Sequence, residues 1–70
     1  MLPLQLRLRK AVSTRVYEMT DDPDARQVYF RLLYAALKRR YHVRSYREIK
    51  QSQLQDALRF IENWRGGYYE

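Results

Sequence analysis

Six cations, Lys38, Arg39, Arg40, Arg44, Arg47 and Lys50, fall within residues 38–50 against a single carboxylate, Glu48, and Tyr41 and Tyr46 lie among them. Cations interleaved with aromatic rings are the chemistry of nucleic-acid sites, where the charges take phosphates and the rings stack on bases. The same charges suit an acidic protein surface. Part of the cluster also has a structural use, since Lys38, Arg39 and Arg40 would sit in the last turn of a helix, beside carbonyls that favour cations. Tyr41 and Tyr46 continue the surrounding apolar series, which assigns them to a core rather than to stacking.

Two smaller constellations invite sharper chemistry and do not sustain it. His42 is the single histidine of a chain without cysteine, and its neighbours Arg40 and Arg44 would not orient it as a base, as a carboxylate would. It reads as a turn histidine. Asp21, Asp22 and Asp24 resemble a cation site, but the Gly and Glu of an EF-hand are missing and the start of a helix explains all three. No catalytic residue, cofactor-binding residue or metal ligand is therefore assigned, and the chain is read as non-enzymatic and without cofactor.

A helix-turn-helix reading of the basic region fails in detail. That motif wants a small residue in its first helix and a Gly four positions later. Counted from Ala36, the Gly position holds Arg40; counted back from His42, the small position holds Lys38.

The elements that must carry these residues follow from apolar spacing. Leu4, Leu8, Val12, Val16 and Met19 recur at helical intervals, so a helix is predicted over residues 5–19, with Pro3 before it. Leu2, Leu4, Leu6 and Leu8 also alternate as a strand would, but no second strand exists to pair with it. Asp22 can cap a second helix in which Pro23 takes the first position and Asp24 meets the positive end of the dipole. From Phe30 the series Phe30, Leu33, Tyr34, Leu37 and Tyr41 marks one face of this helix, and Tyr29, Leu32 and Ala36 mark a second. Two apolar faces predict that the helix at 23–41 is central. Ser45-x-x-Glu48 and Ser52-x-x-Gln55 match capping boxes, predicting a short helix at 45–49 and a last one at 52–65. Leu54, Ala57, Leu58, Ile61 and Trp64 line the inner face of that last helix, Gly66-Gly67 stops it, and Tyr68-Tyr69-Glu70 is a tail.

The whole is thus expected to be all-α: one helical domain over residues 1–70, a small bundle of three main helices plus one short helix. The helices at 23–41 and 52–65 are expected to pack antiparallel, with the first covering them or pairing with another subunit. A chain of 70 residues with no Cys has no disulfide and no Cys-based zinc site to stabilise a core of this size. Self-association remains, and the sequence places its seam on the first helix at Leu4, Leu8, Val12, Val16 and Met19. A homo-oligomer, a dimer or higher, is the expectation. No apolar run approaches the length that spans a bilayer, so no membrane partner is expected and an intracellular, cytoplasmic location is. The formal charge of +6 is concentrated at the six cations of 38–50, the candidate surface for a protein partner or nucleic acid.

The run Leu33-Tyr34, Leu37-Lys38-Arg39-Arg40-Tyr41-His42-Val43-Arg44-Ser45-Tyr46-Arg47-Glu48-Ile49, Ser52-Gln53, Ala57-Leu58, Ile61 and Trp64 resembles the ORF6C domain, a C-terminal module of phage and prophage antirepressor-like proteins. The resemblance is strongest over residues 33–64. It reads aromatic, Gly, Val, basic, Ser, Tyr in the family, with Ile-Pro after the short helix; here His42 stands at the Gly and Lys50 at the Pro. Histidine is among the residues that tolerate positive φ. The resemblance implies a transcription regulator that binds a phage repressor or associated regulator and relieves repression, and it assigns no catalytic residue. Met1 standing directly before the module suggests a stand-alone version or a separated C-terminal piece. DNA binding through the 38–50 cluster is the alternative reading.

Overall fold

A computed structural model describes residues 3–66, and the regular structure among them is entirely helical. Helix α1 runs Leu4–Met19, α2 runs Pro23–Tyr41 and α3 runs Leu54–Asn63, with two three-residue 3₁₀ turns, Tyr46–Glu48 and Gln51–Gln53, between α2 and α3. The expected all-α class and three main helices are present. The expected tail at 68–70, and Gly67, lie outside the described residues.

The joints follow from local chemistry. Pro3 is extended and its carbonyl accepts the Arg7 N–H at 3.0 Å, opening α1. Thr20 stops α1 in extended backbone, its Oγ1 takes the Asp22 N–H at 3.1 Å, and Asp22 Oδ1 takes the Asp24 N–H at 3.1 Å. Asp22 therefore caps α2 with Pro23 in its first turn, as the sequence predicts. At the far end His42 is left-handed, φ 55 and ψ 44. Its N–H reaches the Arg39 carbonyl and the Val43 N–H reaches the Lys38 carbonyl at 3.0 Å, the paired bonds of a Schellman ending. A histidine thus fills the position that favours glycine.

The two capping boxes are displaced. Ser45 Oγ accepts the Arg47 N–H at 3.2 Å rather than the Glu48 N–H, and the Glu48 carboxylate reaches the Arg44 N–H at 3.5 Å rather than that of Ser45. The result is a 3₁₀ turn in place of a helix at 45–49. Gln53, not Gln55, performs the return bond: its Oε1 takes the Lys50 N–H at 2.9 Å while its own N–H goes to the Lys50 carbonyl at 2.8 Å. This winds Gln51–Gln53 as a 3₁₀ turn, and α3 begins at Leu54 rather than Ser52. It ends at Asn63, with Trp64 extended, short of the expected residue 65. Gly66 has φ +100, and a Cβ there would meet only ordinary contacts with Met19 and Tyr29, so conformation rather than space calls for glycine.

The core is one cluster. Leu8, Val12 and Val16 of α1, Leu33 and Leu37 of α2, Ile49 of the connection and Ile61 of α3 are sealed from solvent, with Ala36, Leu54, Ala57 and Trp64 completing it. The expectation that α2 is central is corrected: α1 makes the close backbone approaches to both α2 and α3. Its inward stripe is narrow, two valines below one leucine at spacing four, so both neighbours come near. Helices α2 and α3 meet mainly through long side chains. The Tyr29 ring lies edge-on to Trp64 at 6.0 Å, and Arg40 reaches Asp56, so the pair runs antiparallel with large groups between.

This placement moves the expected seam. Leu8, Val12 and Val16 are fully buried within their own chain, and Leu4 and Met19 pack half-buried against the same cluster. The stripe offered for a second copy is consumed inside the monomer, as is the second stripe of α2, Tyr29, Leu32 and Ala36. Leu58, placed by its spacing with the fully buried positions, is only half-buried.

Arg15 fastens the end of α3. Its Nε and Nη2 donate to the Trp64 carbonyl at 3.0 and 2.8 Å from across the bundle, beyond the last turn of α3. Both atoms converge on one oxygen, a charge-assisted arrangement stronger than a neutral bond.

Leu8→Ala and Leu37→Ala should each cost about 2–5 kcal/mol by leaving a cavity, and Leu58→Ala clearly less because solvent already reaches its site. Arg15→Ala should cost about 1–2 kcal/mol through the lost carbonyl bonds. Denaturant midpoints of the four variants check the order; equal losses at Leu58 and Leu37 would contradict the packing described.

Candidate functional site

The six cations of 38–50 do not form one patch. Arg40 turns toward α3, where its Nε donates to Asp56 Oδ2 at 3.1 Å and its Nη2 to Asp56 Oδ1 at 3.2 Å. Tyr41 gives its hydroxyl to the same carboxylate, and the Arg40 guanidinium lies 5.0 Å from the centre of the Phe60 ring. Arg40 is thus a strut between α2 and α3. The Arg40 and Tyr41 hydrogen bonds hold the Asp56 carboxyl below its ordinary value, and the Asp56 bond in turn raises the Arg40 guanidinium. Burial, followed by the bond to Asp56, pushes the Tyr41 phenol up to about 12.

Lys38 and Arg44 point elsewhere. Together with Ser45 they edge a shallow groove of about 150 Å³ whose aromatic walls are Tyr34 and Tyr46. Those two rings are 5.2 Å apart, tilted by 43°. The Schellman ending at His42 creates this convergence, because it reverses the chain and brings Arg44 back beside the last turn of α2. Tyr34 also walls a second groove of about 450 Å³ on the other side, with Leu6, Arg9, Lys10, Ser13 and Phe30. The two grooves join at Tyr34 into a strip running from Lys10 and Arg9 of α1 to Arg44. Burial raises the Tyr34 phenol and the neighbouring Tyr46 adds to it, while Arg9, within hydrogen-bonding reach, pulls it back down. The ring therefore stays a neutral hydrogen-bond donor at neutral pH. Arg39 in the last turn of α2, Arg47 on the first 3₁₀ turn and Lys50 just before the second are exposed, apart from the groove lining.

Arg9, Lys10 and Tyr34 were absent from the sequence-based cluster. Tyr34 stands one helical turn before Lys38 on α2, just outside the 38–50 window, and only the antiparallel run of α1 against α2 brings Arg9 and Lys10 beside it. Tyr46 was assigned to the core, and the structure makes it both a half-buried packing residue and a groove wall. No helix follows α2 across a tight turn: the next element is the three-residue turn Tyr46–Glu48, so a second helix does not stand ready for a DNA groove in the manner of a helix-turn-helix. Among the described residues no helix is long and apolar enough to cross a membrane.

Because the folded Asp56 value is depressed, its contribution to stability is present above about pH 4, the unfolded range, and is lost as pH falls through the folded value. Tyr41, being raised, contributes below about pH 10 and loses that contribution as pH rises toward about 12. In a spectrophotometric phenol titration Tyr34 and Tyr41 should ionise above the ordinary range of a phenol. Asp56→Asn should advance one of the two, Tyr41, without returning it to the ordinary value, since burial remains. An unchanged profile would break the proposed link.

The ORF6C domain family model matches residues 5–67, well beyond the 33–64 stretch in which the resemblance is strongest by eye and including all of α1 but its first residue. Neither a curated protein nor a solved structure matches the chain. The match takes in the displaced boxes, the left-handed His42 and the Arg15 contact alike, and on its extent this chain belongs to the ORF6C domain family.

Proposed function

We propose that this domain is a non-enzymatic binding module of a phage antirepressor-like regulator, and that it relieves repression by seating an acidic segment of a repressor on the strip formed by Arg9, Tyr34, Lys38, Arg44 and Tyr46. Membership of the ORF6C family is consistent with an antirepressor-like setting. The observation that carries the reading is the convergence of Lys38 and Arg44 on a groove walled by two tilted rings, while Arg40 is withdrawn into its bond with Asp56. Such a groove offers two or three positive charges and apolar ring surface over a short span. That fits a carboxylate-bearing peptide with an apolar residue beside the acid better than the regular row of phosphates on a duplex.

The complementary charges chiefly steer encounter and exclude wrong partners, whereas the rings supply the buried contact. Changing both kinds of group should therefore weaken the complex by different routes. With a phage repressor that binds the parent chain as the titrant, Lys38→Glu with Arg44→Glu should weaken binding about tenfold or more and make its salt dependence shallower. Tyr46→Ala should weaken it with little change in salt dependence. In a reporter assay both variants should leave repression in place. Tight binding to duplex DNA of random sequence, falling with salt by about 0.9 log units per phosphate engaged and abolished in the double variant, would make nucleic acid the occupant instead.

A further inference from the structure

The outer face of α1 carries a second surface on the α3 side of that helix, which shares only Lys10 with the strip and does not rest on the reading above. Between α1 and α3 runs a groove of about 440 Å³ with a half-buried apolar floor of Ala11 and Leu58 over the sealed Ile61. Its charges are sorted by end. Arg7 and Lys10 stand at one end, Glu18 and Glu62 at the other, and the middle of the α1 side is the small pair Ala11 and Thr14. Arg15, the remaining cation of the lining, is tied down by its two bonds to the Trp64 carbonyl. Glu18 keeps only a long contact with Arg15, 3.5 Å, and its side chain is 61% exposed.

We propose that this groove is occupied by a second copy of the same chain, across a two-fold axis passing between Ala11 and Thr14. Arg7, Ala11, Thr14 and Glu18 stand at intervals of four, three and four, so they share one face of α1. Antiparallel pairing of that face about its midpoint sets Arg7 against the partner's Glu18 and Ala11 against the partner's Thr14, and the symmetry repeats each contact. A two-fold interface must be self-complementary, each patch meeting its own copy. A face with opposite charges at its two ends and small residues between them satisfies that condition only when turned end for end. The small residues let the two helices approach closely, and Leu58 gains the cover that its own chain does not provide. The pairing also differs from the seam expected on Leu4, Leu8, Val12, Val16 and Met19, which the monomer uses for its own core.

Charge exchange tests it on the full chain. Sedimentation velocity of the parent should give a mass twice that of the monomer at high concentration, falling to one on dilution. Arg7→Glu sets acid against acid at both ends, and Glu18→Arg sets base against base, so each variant alone should be monomeric at concentrations where the parent pairs. Mixed in equal amounts they should form a heterodimer, because the acidic face of one meets the basic face of the other. The Arg7→Glu, Glu18→Arg double variant should pair with itself. Rescue in the mixture also shows that neither single variant was lost to misfolding, and circular dichroism of each checks this directly. A parent that stays monomeric at millimolar concentration, single variants that still pair, or folded single variants that the mixture fails to rescue would each overturn the proposal.

Discussion

Everything else in this chain hangs on the inward stripe of α1, because that helix alone approaches both of the others closely. Leu8, Val12 and Val16 are sealed beneath α2 and α3, and no disulfide supports them. A chain of this size has little surplus burial, so its stability is concentrated in a few fully enclosed side chains. Spacing of four residues keeps the stripe narrow, and its narrowness admits two helices on adjacent flanks. A stripe of larger residues would hold one helix and push the other out. The outer face of α1 is left free of core duty for the same reason.

Much of the positive charge is used as structure around that core. Arg15 reaches from α1 to the Trp64 carbonyl, Arg26 donates to the Thr20 carbonyl with its guanidinium 3.9 Å from the centre of the Tyr17 ring, and Arg40 joins α2 to Asp56 and Phe60. All three are bonded through the guanidinium edge, and Arg26 and Arg40 also pack a face against a ring, a role a lysine could not fill. The formal charge of +6 therefore overstates what a partner meets. Lys38 and Arg44, which edge the groove instead, define the strip because the arginines at 15, 26 and 40 are engaged elsewhere.

The features that were legible in the sequence are those decided within a few residues. The Asp22 cap, the Pro23 start and the inward faces of α1 and α2 follow from neighbours within four positions, whereas the left-handed His42 was expected through the resemblance, which puts a Gly there. The displaced boxes show where local reasoning loses resolution. Ser45 and Gln53 can each bond more than one nearby N–H, and Ile49, sealed in the core, pulls the chain into tight 3₁₀ turns. Which helix is central was not legible, since apolar faces were counted and side-chain bulk was not. Tyr29, Leu32 and Ala36 gave α2 a second apolar flank, and in the fold Tyr29, together with Arg40, holds α3 at a distance. The pairing of Arg9 with Tyr34 depends on how α1 lies against α2, and no short window of sequence contains both.

The two surfaces flank the same helix. The core stripe of α1 divides them: Leu6, Arg9 and Ser13 border the strip beside α2, while Arg7, Ala11 and Thr14 border the groove beside α3. Lys10 lines both, at the outermost edge of α1, where the two surfaces meet. Pairing through the α3 side would therefore leave the α2 side uncovered on each copy, and the two-fold axis would carry two strips in opposite directions along a common surface. A partner that is itself a two-fold dimer would present any acidic segment in a pair related by the same symmetry, and such a bivalent match would raise the strength of a weak single contact through effective concentration alone. A shallow groove with two principal cations would then suffice, and Lys10, which lines both surfaces, would be shared between pairing and the acidic segment beside it.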